Sequence, residues 1–133
     1  MAATPPDALP PQLRAFLHSC IESIEQIEML MLLRGSERPR TTADIGAALR
    51  LRPATARRDL ETLAARGLLE VQVSGEISYR YRPKSDELAR YSDMLAEYYV
   101  TARQAVFGFV ATEARLSMKR FADAFKLRDP EKP

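Results

Sequence analysis

The stretch RPATARRDLETLAARGLLE, which runs from Arg52 to Glu70, has the pattern of a single amphipathic helix. Pro53 suits the first helical position, where its missing N–H costs nothing, and Gly67 suits the end. At 100° per residue, one stripe of this helix is apolar and must face a core. The stripe consists of Ala56, Leu60, Leu63, Ala64 and Gly67.

The opposite face of the helix carries a long cation among small side chains. Arg58 lies at its centre, with Arg57 and Asp59 on the flanks. The residues around Arg58 are Ala54, Thr55, Glu61, Thr62 and Ala65. Small side chains permit close approach to a DNA major groove, where Arg58 can bond guanine O6 and N7 together, while Arg57 is better placed for a phosphate. The alternative is a solvated face whose arginines pair with Asp59 and Glu61.

The residues before this helix predict the first half of a helix-turn-helix. Thr41 and Thr42 head a short helix, and Thr41 with Asp44 resembles a capping box. Its buried side is expected to be Ile45, Ala48 and Leu49. The turn to the next helix contains Arg52. Free N–H groups at the start of the short helix can hold a DNA phosphate, although simple capping explains the two threonines equally well.

The residues after the helix predict a β-hairpin, because LLEVQV and ISYRYRP flank a turn at Ser74-Gly75-Glu76. Tyr79 and Tyr81 share the core face with Ile77. Arg80 and Arg82 lie on the other face and can reach a flanking phosphate or the minor groove, unless they only protect an edge strand. The expected DNA-contacting residues are therefore Thr41, Thr42, Arg52, Ala54, Thr55, Arg57, Arg58, Thr62, Arg80 and Arg82.

Helical patterns also occupy both ends of the chain. Phe16–Gly35 predicts one first helix, and residues 85–128 predict one long helix or two helices broken near Gly108. A seven-residue repeat in the second segment forms a stripe too large to leave in water. The first helix should cover part of it and a second copy of the chain the rest, unless a break at Gly108 folds the segment into a compact hairpin. The residues expected at that homodimer interface are Leu88, Tyr91, Leu95, Tyr98, Ala102, Phe109 and Leu116.

This order of elements predicts a mainly α fold with a small β-hairpin (α+β), namely a winged helix-turn-helix with a long C-terminal helical extension. We expect a proline-rich disordered leader at residues 1–12, the winged helix-turn-helix at residues 13–84, a helical dimerisation segment at residues 85–128 and a tail at residues 129–133.

The segment PATARRDLETLAARGLLE resembles the recognition-helix region of the DeoR family of bacterial repressors. The match covers residues 41–70, and its most specific parts are RRDL at residues 57–60 and GLL at residues 67–69. The resemblance implies DNA contacts by Thr55, Arg57 and Arg58. The sequence departs from the family at Arg52, where a small capping residue is usual, and at Ala56, where a larger aliphatic is usual. The whole architecture is similar to that of MarR-like regulators.

Charge and composition narrow the function classes. The net charge is +2, but residues 34–84 hold eleven basic and six acidic residues, a surplus of five, which suits a polyanionic partner. Compositional bias toward Arg is an alternative cause. No apolar run is long enough to cross a membrane, and the single cysteine, Cys20, suits a reducing cytoplasm. His18 and Cys20 lie about 200° apart on a helix, the wrong geometry for a shared metal.

The sequence therefore predicts a bacterial-type, cytoplasmic transcription regulator that binds specific double-stranded DNA as a homodimer. We expect no enzymatic activity, no cofactor and no metal, since the chain has one histidine and lacks the common nucleotide, metal and redox motifs. His18 is expected to be an ordinary surface or boundary residue and Cys20 a small core hydrophobe. Redox sensing by Cys20 is left open, as is any small-molecule effector. The alternative is a winged-helix protein–protein interaction module that does not bind DNA.

Overall fold

The computed structural model describes residues 9–127, which form six α-helices and three β-strands. In chain order these are α1 (Pro11–Cys20), α2 (Ile24–Arg34), β1 (Arg40–Thr41), α3 (Thr42–Leu49), α4 (Pro53–Ala65), β2 (Leu69–Ser74), β3 (Glu76–Tyr81), α5 (Asp86–Thr101) and α6 (Arg103–Leu127). This is a winged helix-turn-helix with a C-terminal helical extension, as predicted. Most of the expected leader and the whole expected tail lie outside the described residues. The leader does not reach residue 12, because Leu9 is buried and α1 begins at Pro11.

The predicted single helix over residues 16–35 is wrong, since the chain forms two helices there. α1 ends at Cys20, and Ile21 has extended backbone with φ −122°. Ser23 then caps α2, because its Oγ accepts a hydrogen bond from the backbone N–H of Gln26 at 3.2 Å. Ile21 and Ile27 are both buried, so the apolar periodicity runs through the break and conceals it.

The helix-turn-helix consists of α3 and α4. The Thr41 hydroxyl accepts from the backbone N–H of Asp44 at 3.1 Å, which confirms the predicted cap of α3. Arg50 has left-handed backbone with φ 58°, and the N–H of the following Leu51 donates to the carbonyl oxygen of Gly46 at 2.8 Å. A Cβ on Gly46 would lie 3.4 Å from the Leu51 carbonyl oxygen, so the turn folds closely over α3.

The buried side of α3 differs from the prediction at one position. Ile45 is fully buried and Leu49 packs against the core, but Ala48 is exposed. Gly46 is the residue that faces inward instead. A helix of eight residues presents only a narrow inner stripe, and the turn occupies the space next to it.

The wing is an antiparallel hairpin of β2 and β3, and the third strand, β1, was not predicted. β1 pairs with β3 through Arg40↔Tyr79 and Thr41↔Ser78, giving the strand order β1-β3-β2. With only two residues, β1 is too short to show an alternating pattern. Gly75 closes the hairpin at φ 83°, a conformation that suits glycine.

The C-terminal segment forms two helices, but they break at Ala102 rather than near Gly108. Ala102 has non-helical backbone with φ −145° and ψ 50°, whereas Gly108 lies inside α6. α5 and α6 contact each other and both contact α1, and α6 also contacts α2, which confirms the first helical region as their local partner. The core lies between these helices and α4. Its fully buried large side chains are Leu9, Leu13, Leu17, Ile27, Met29, Leu30, Leu33, Ile45, Leu60, Leu63, Leu68 and Leu95.

Candidate nucleic-acid interface

The outward face of α4 is built as its sequence predicts. Ala56, Leu60 and Leu63 are completely buried, so the helix is held against the core along one stripe. On the other side, Arg57 and Arg58 are exposed, and three-quarters of the Arg58 side chain is open to solvent. Ala54, Glu61 and Ala65 are exposed as well, while Thr55 and Thr62 are half-buried. The helix thus presents two arginines on a surface of mostly short side chains.

Asp59 departs from its expected place on an exposed flank, because it is only 4% exposed. Its Oδ1 accepts a hydrogen bond from Gln26 Nε2 of α2 at 3.2 Å. The same oxygen lies 3.7 Å from Arg58 Nε. α2 packs on this flank of α4 and excludes water from the carboxylate. Sequence reasoning missed Gln26 entirely, and its one signal is the Ser23-x-x-Gln26 spacing of a capping box.

An open cleft of about 830 Å³ lies where α3 meets the start of α4. Its lining residues are Thr42, Ala43, Gly46, Ala47, Arg50, Leu51, Pro53, Ala54 and Arg57. Three of the predicted DNA-contacting residues, Thr42, Ala54 and Arg57, therefore share one concave surface. Arg50 also lines this cleft. It was not predicted as a DNA-contacting residue, because nothing in the local sequence pattern reveals its left-handed backbone.

The remaining predicted residues of the helix-turn-helix have mixed surroundings. Arg52 is exposed and precedes α4 without a side-chain capping bond. Thr41 is half-buried, and its hydroxyl accepts the capping hydrogen bond of α3. Thr62 Oγ1 donates to the Arg58 carbonyl oxygen at 3.0 Å, so its hydroxyl proton is used within α4.

The wing places its two arginines on an outer face beside an acid. Arg80 is exposed on β3 and pairs in register with Glu70 of β2. Arg82 Nη1 lies 3.6 Å from Glu70 Oε2, and about two-thirds of its side chain is exposed. Each arginine can still reach outward, but Glu70 neutralises part of their charge.

The opposite face of the wing is apolar, and the part near the hairpin tip extends beyond the hydrophobic core. Tyr79 is buried, which confirms the prediction, and Tyr81 is half-buried. Ile77 is 52% exposed, so the expectation that it faces the core is wrong. Its cross-strand partner Val73 is 75% exposed, and Val71 is 44% exposed. The tip of the hairpin lies past the helices, where no core is left to cover these side chains.

Tyr79 connects the wing with the outward side of α4. The pKa of Tyr79 is raised from its ordinary value, chiefly because burial disfavours the phenolate. The carboxylate of Glu61 also raises this pKa, and the charge of Arg57 opposes the rise. The tyrosine hydroxyl is therefore within electrostatic reach of both residues of α4.

His18 and Cys20 have separate surroundings in this arrangement. His18 is exposed, as expected, and its Nδ1 contacts Glu113 Oε1 of α6. Cys20 is half-buried against the core, and burial raises the pKa of its thiol while the charge of Arg66 partly opposes this. Residues 9–127 contain no cluster of three or more His, Cys, Asp or Glu side chains able to hold a metal ion. Nor does this part of the chain include a helix with the length and apolar character needed to cross a membrane.

Seven residues predicted at a dimer interface lie on α5, on α6 and at the break between them. Leu95 is completely buried within the protomer and is not available to a second chain, so its assignment is corrected. The half-buried members, which pack against the core, are Leu88, Tyr91, Tyr98, Ala102 and Phe109. Leu116 is 40% exposed.

Comparisons with known proteins support the fold. No protein-family model matches the sequence, and no curated protein matches it. Among solved structures, the transcriptional regulator Tm0710 from Thermotoga maritima is 15% identical, with a TM-score of 0.50 over 92% of this chain and 88% of that one. At this identity the likeness concerns the fold alone.

Two further structures are similar to a lesser degree. The homodimeric winged helix-turn-helix DNA-binding domain of Mb0332 from Mycobacterium bovis, described as a possible ArsR-family regulator, is 26% identical over 78% of this chain and 92% of that one, with a TM-score of 0.49. Lactococcus lactis ZitR in complex with DNA is 17% identical over 77% of this chain and 71% of that one, with a TM-score of 0.47. None of the three is described as a DeoR-family protein, so the resemblance of residues 41–70 to that family stays a prediction.

Proposed function

We propose that this chain is a cytoplasmic transcription regulator that binds specific double-stranded DNA as a homodimer. The observation that carries the proposal is the outward face of α4, where Arg57 and Arg58 are exposed among short side chains. A helix of this shape fits the major groove, because its short side chains permit close approach and the arginines can extend to the base edges and phosphates. Arg58, at the centre, is assigned to a guanine, and Arg57 to a phosphate.

Residues around α4 supply contacts that hold the protein on the duplex. Thr42, Ala54 and Arg57 line the cleft at the start of α4, where free backbone N–H groups of α3 and the Arg50 guanidinium can meet the sugar-phosphate backbone. Arg52 is exposed beside it. Arg80 and Arg82 extend this basic surface onto the wing and add affinity without reading sequence.

A second copy of the chain is proposed to cover part of α6. This helix has 25 residues and is about 37 Å long. Among residues 103–124 of this helix, the fully buried side chains are Ala105, Val106 and Val110, all in its first third. Farther along, Leu116 is 40% and Met118 73% exposed. Pairing through this half would set two α4 helices about one DNA turn, roughly 34 Å, apart and favour an inverted-repeat site.

The proposal is tested by selecting bound duplexes from a randomised DNA pool with the full chain. We expect enrichment of a sequence with two related half-sites. Binding of the selected duplex should weaken steeply as salt rises, because phosphate contacts release counterions. A protein that enriches no sequence and shows no salt-dependent binding to any duplex at low ionic strength would refute the DNA-binding function.

One observation favours a second candidate function, a protein–protein interaction module without DNA binding. Val71, Val73 and Ile77 form an exposed apolar patch on the wing, next to Glu76 at the tip. An acidic, apolar tip suits a protein surface better than a phosphate backbone. The two functions differ in duplex binding itself, which a module without DNA binding lacks. If α4 carries the function, the duplex is bound, and Val73→Ser with Ile77→Ser should leave that binding unchanged.

A further inference from the structure

We propose that Asp59 is a positioning residue that orients Arg58 for base recognition, and that Gln26 holds Asp59 in place from behind. The inference rests on the proposed function, because it explains how the Arg58 side chain is oriented before the duplex binds. It assigns specificity to two residues that DNA cannot touch. Asp59 is 4% exposed, and Gln26 is 1% exposed.

The Asp59 carboxylate is anchored by hydrogen bonds that lead back to the α1–α2 break. Gln26 Nε2 donates to Asp59 Oδ1 at 3.2 Å. Gln26 Oε1 in turn accepts from the backbone N–H of Glu22 at 2.8 Å. The amide of Gln26 is therefore fixed at both ends, with its oxygen on the main chain and its nitrogen on the carboxylate. Because Gln26 cannot turn without losing one of these bonds while buried, Asp59 keeps one orientation.

Arg58 is the cation nearest to this buried charge. Its Nε lies 3.7 Å from Asp59 Oδ1, although residues i and i+1 of a helix do not normally face each other. A buried carboxylate that receives only a neutral amide bond attracts a cation strongly, since its charge is poorly compensated. Arg57 is also exposed, yet within residues 9–127 it has no ion-pair partner.

The direction of this contact decides which side of the guanidinium remains free. The contact with Asp59 is made by Nε, and in the proposed arrangement it leaves the terminal Nη1 and Nη2 groups for the duplex. This pair matches guanine O6 and N7 in the major groove. Holding a flexible side chain in its bound form removes part of the entropy cost of binding, which corresponds to about three- to tenfold in affinity per side chain. That gain applies at the one base pair that Arg58 reads.

The first arm of the test uses the free protein and needs no DNA. In ¹⁵N-labelled full-length protein, the Arg58 Nε–H resonance should show slower exchange with water than that of Arg57. Asp59→Asn keeps the shape and can still accept from Gln26, but removes the charge, so the Arg58 resonance should become like that of Arg57. Equal exchange of the two arginines in the wild-type protein would overturn the proposal.

The second arm measures the dissociation constant of each duplex substituted at a single base pair, divided by that of the selected duplex. Asp59→Asn should lower this ratio about three- to tenfold at the base pair that Arg58→Ala also relaxes. In the Arg58→Ala background, Asp59→Asn should change the ratio no further. Gln26→Met, buried on α2, should lower the ratio at the same base pair. Unfolding midpoints identify the variants that remain folded.

Glu61→Gln is the matched control, because it removes one negative charge from the same helix at an exposed position. It should strengthen binding to all duplexes alike and leave the ratio unchanged. If Asp59→Asn behaves like Glu61→Gln, or lowers the ratio equally without Arg58, Asp59 does not act through Arg58. A wild-type protein that selects no duplex refutes the proposed function, and with it the role in base reading, while the resonance measurement still reports whether Asp59 orients Arg58.

Discussion

Arg66 Nη1 donates to the carbonyl oxygen of Ser19 at 2.6 Å, which joins the end of α4 to the last turn of α1. A second guanidinium nitrogen, Nη2, donates to Glu22 at 2.7 Å. Arg66 thus braces the same α1–α2 break from which Gln26 reaches Asp59. The hydrogen bond between Gln26 and Asp59 holds the middle of α4 on the first helical region, and the Arg66 contacts hold its end.

Arg66→Ala should therefore lower the free energy of unfolding by about 1–2 kcal/mol, since it removes two charge-assisted hydrogen bonds that are partly open to water. Chemical denaturation measures the change. Arg38→Ala, in the exposed loop before β1, is the matched control and should change stability by less than about 0.5 kcal/mol. Equal effects of the two substitutions would show that the Arg66 contacts contribute nothing to stability.

The two arginines of α4 should respond differently to removal. Arg58→Ala should cost about 1–3 kcal/mol on the selected duplex and relax the preference at one base pair, because a bidentate guanine contact is lost. Arg57→Ala should weaken binding to all duplexes alike, since a phosphate contact carries no sequence information. Binding titrations against a panel of single-base-pair variants separate the two outcomes. Identical profiles would contradict the assignment of Arg58 to a base.

The wing should add affinity and no specificity. Changing Arg80 and Arg82 together to Ala should lower the slope of log K against log salt by up to about two. Because Arg82 contacts Glu70, its removal should change the slope less, and the single Arg80→Ala variant should account for most of the effect. Binding isotherms at four or more salt concentrations give the slope. An unchanged slope would leave these arginines as protection of the sheet against edge pairing.

The parts of the fold that sequence predicted well are those encoded within a few residues. Pro53 at the start of α4, the Thr41 cap and the glycine turn of the hairpin each act locally. The breaks at Ser23 and Ala102 were missed for a physical reason. Helices on either side of a break can pack on one core and keep the apolar period in phase, so periodicity alone does not reveal the interruption.

The sequence predicted the exposed residues of the candidate site but not the buried hydrogen bond behind them. The positions of Arg57 and Arg58 follow from the helical period. The hydrogen bond between Gln26 and Asp59 joins residues 33 positions apart, and no local pattern records such a contact. The break at Ala102 also leaves no local signal. The sequence Thr-Ala-Arg is compatible with a helix, and the packing of α5 and α6 on α1 decides where the helix ends.

Dimerisation should depend on the exposed half of α6. Leu116→Asp should convert a dimer to a monomer at tens of micromolar, because a charge would then face the partner chain. Light scattering measures the mass. Val100→Asp, at an exposed valine of α5, is the control and should leave the mass unchanged. A truncation at Lys84 is a poor substitute, because it would also remove core residues such as Leu95 and Val106. A wild-type monomer would rule out the homodimer and the inverted-repeat site.

Cys20 should be slow to react in the folded protein. Burial raises the pKa of its thiol, so less thiolate, the reactive form, exists near neutral pH than for an exposed cysteine. At pH 8 we expect iodoacetamide to modify Cys20 at least about tenfold more slowly in buffer than in urea, since unfolding restores both access and the ordinary pKa. The rate in the folded protein should continue to rise with pH above the ordinary thiol pKa, because the titration is displaced upward. Mass spectrometry follows the modified fraction. Equal rates in buffer and in urea would mean that Cys20 is open and ionised, and would favour a redox-sensing role for this residue.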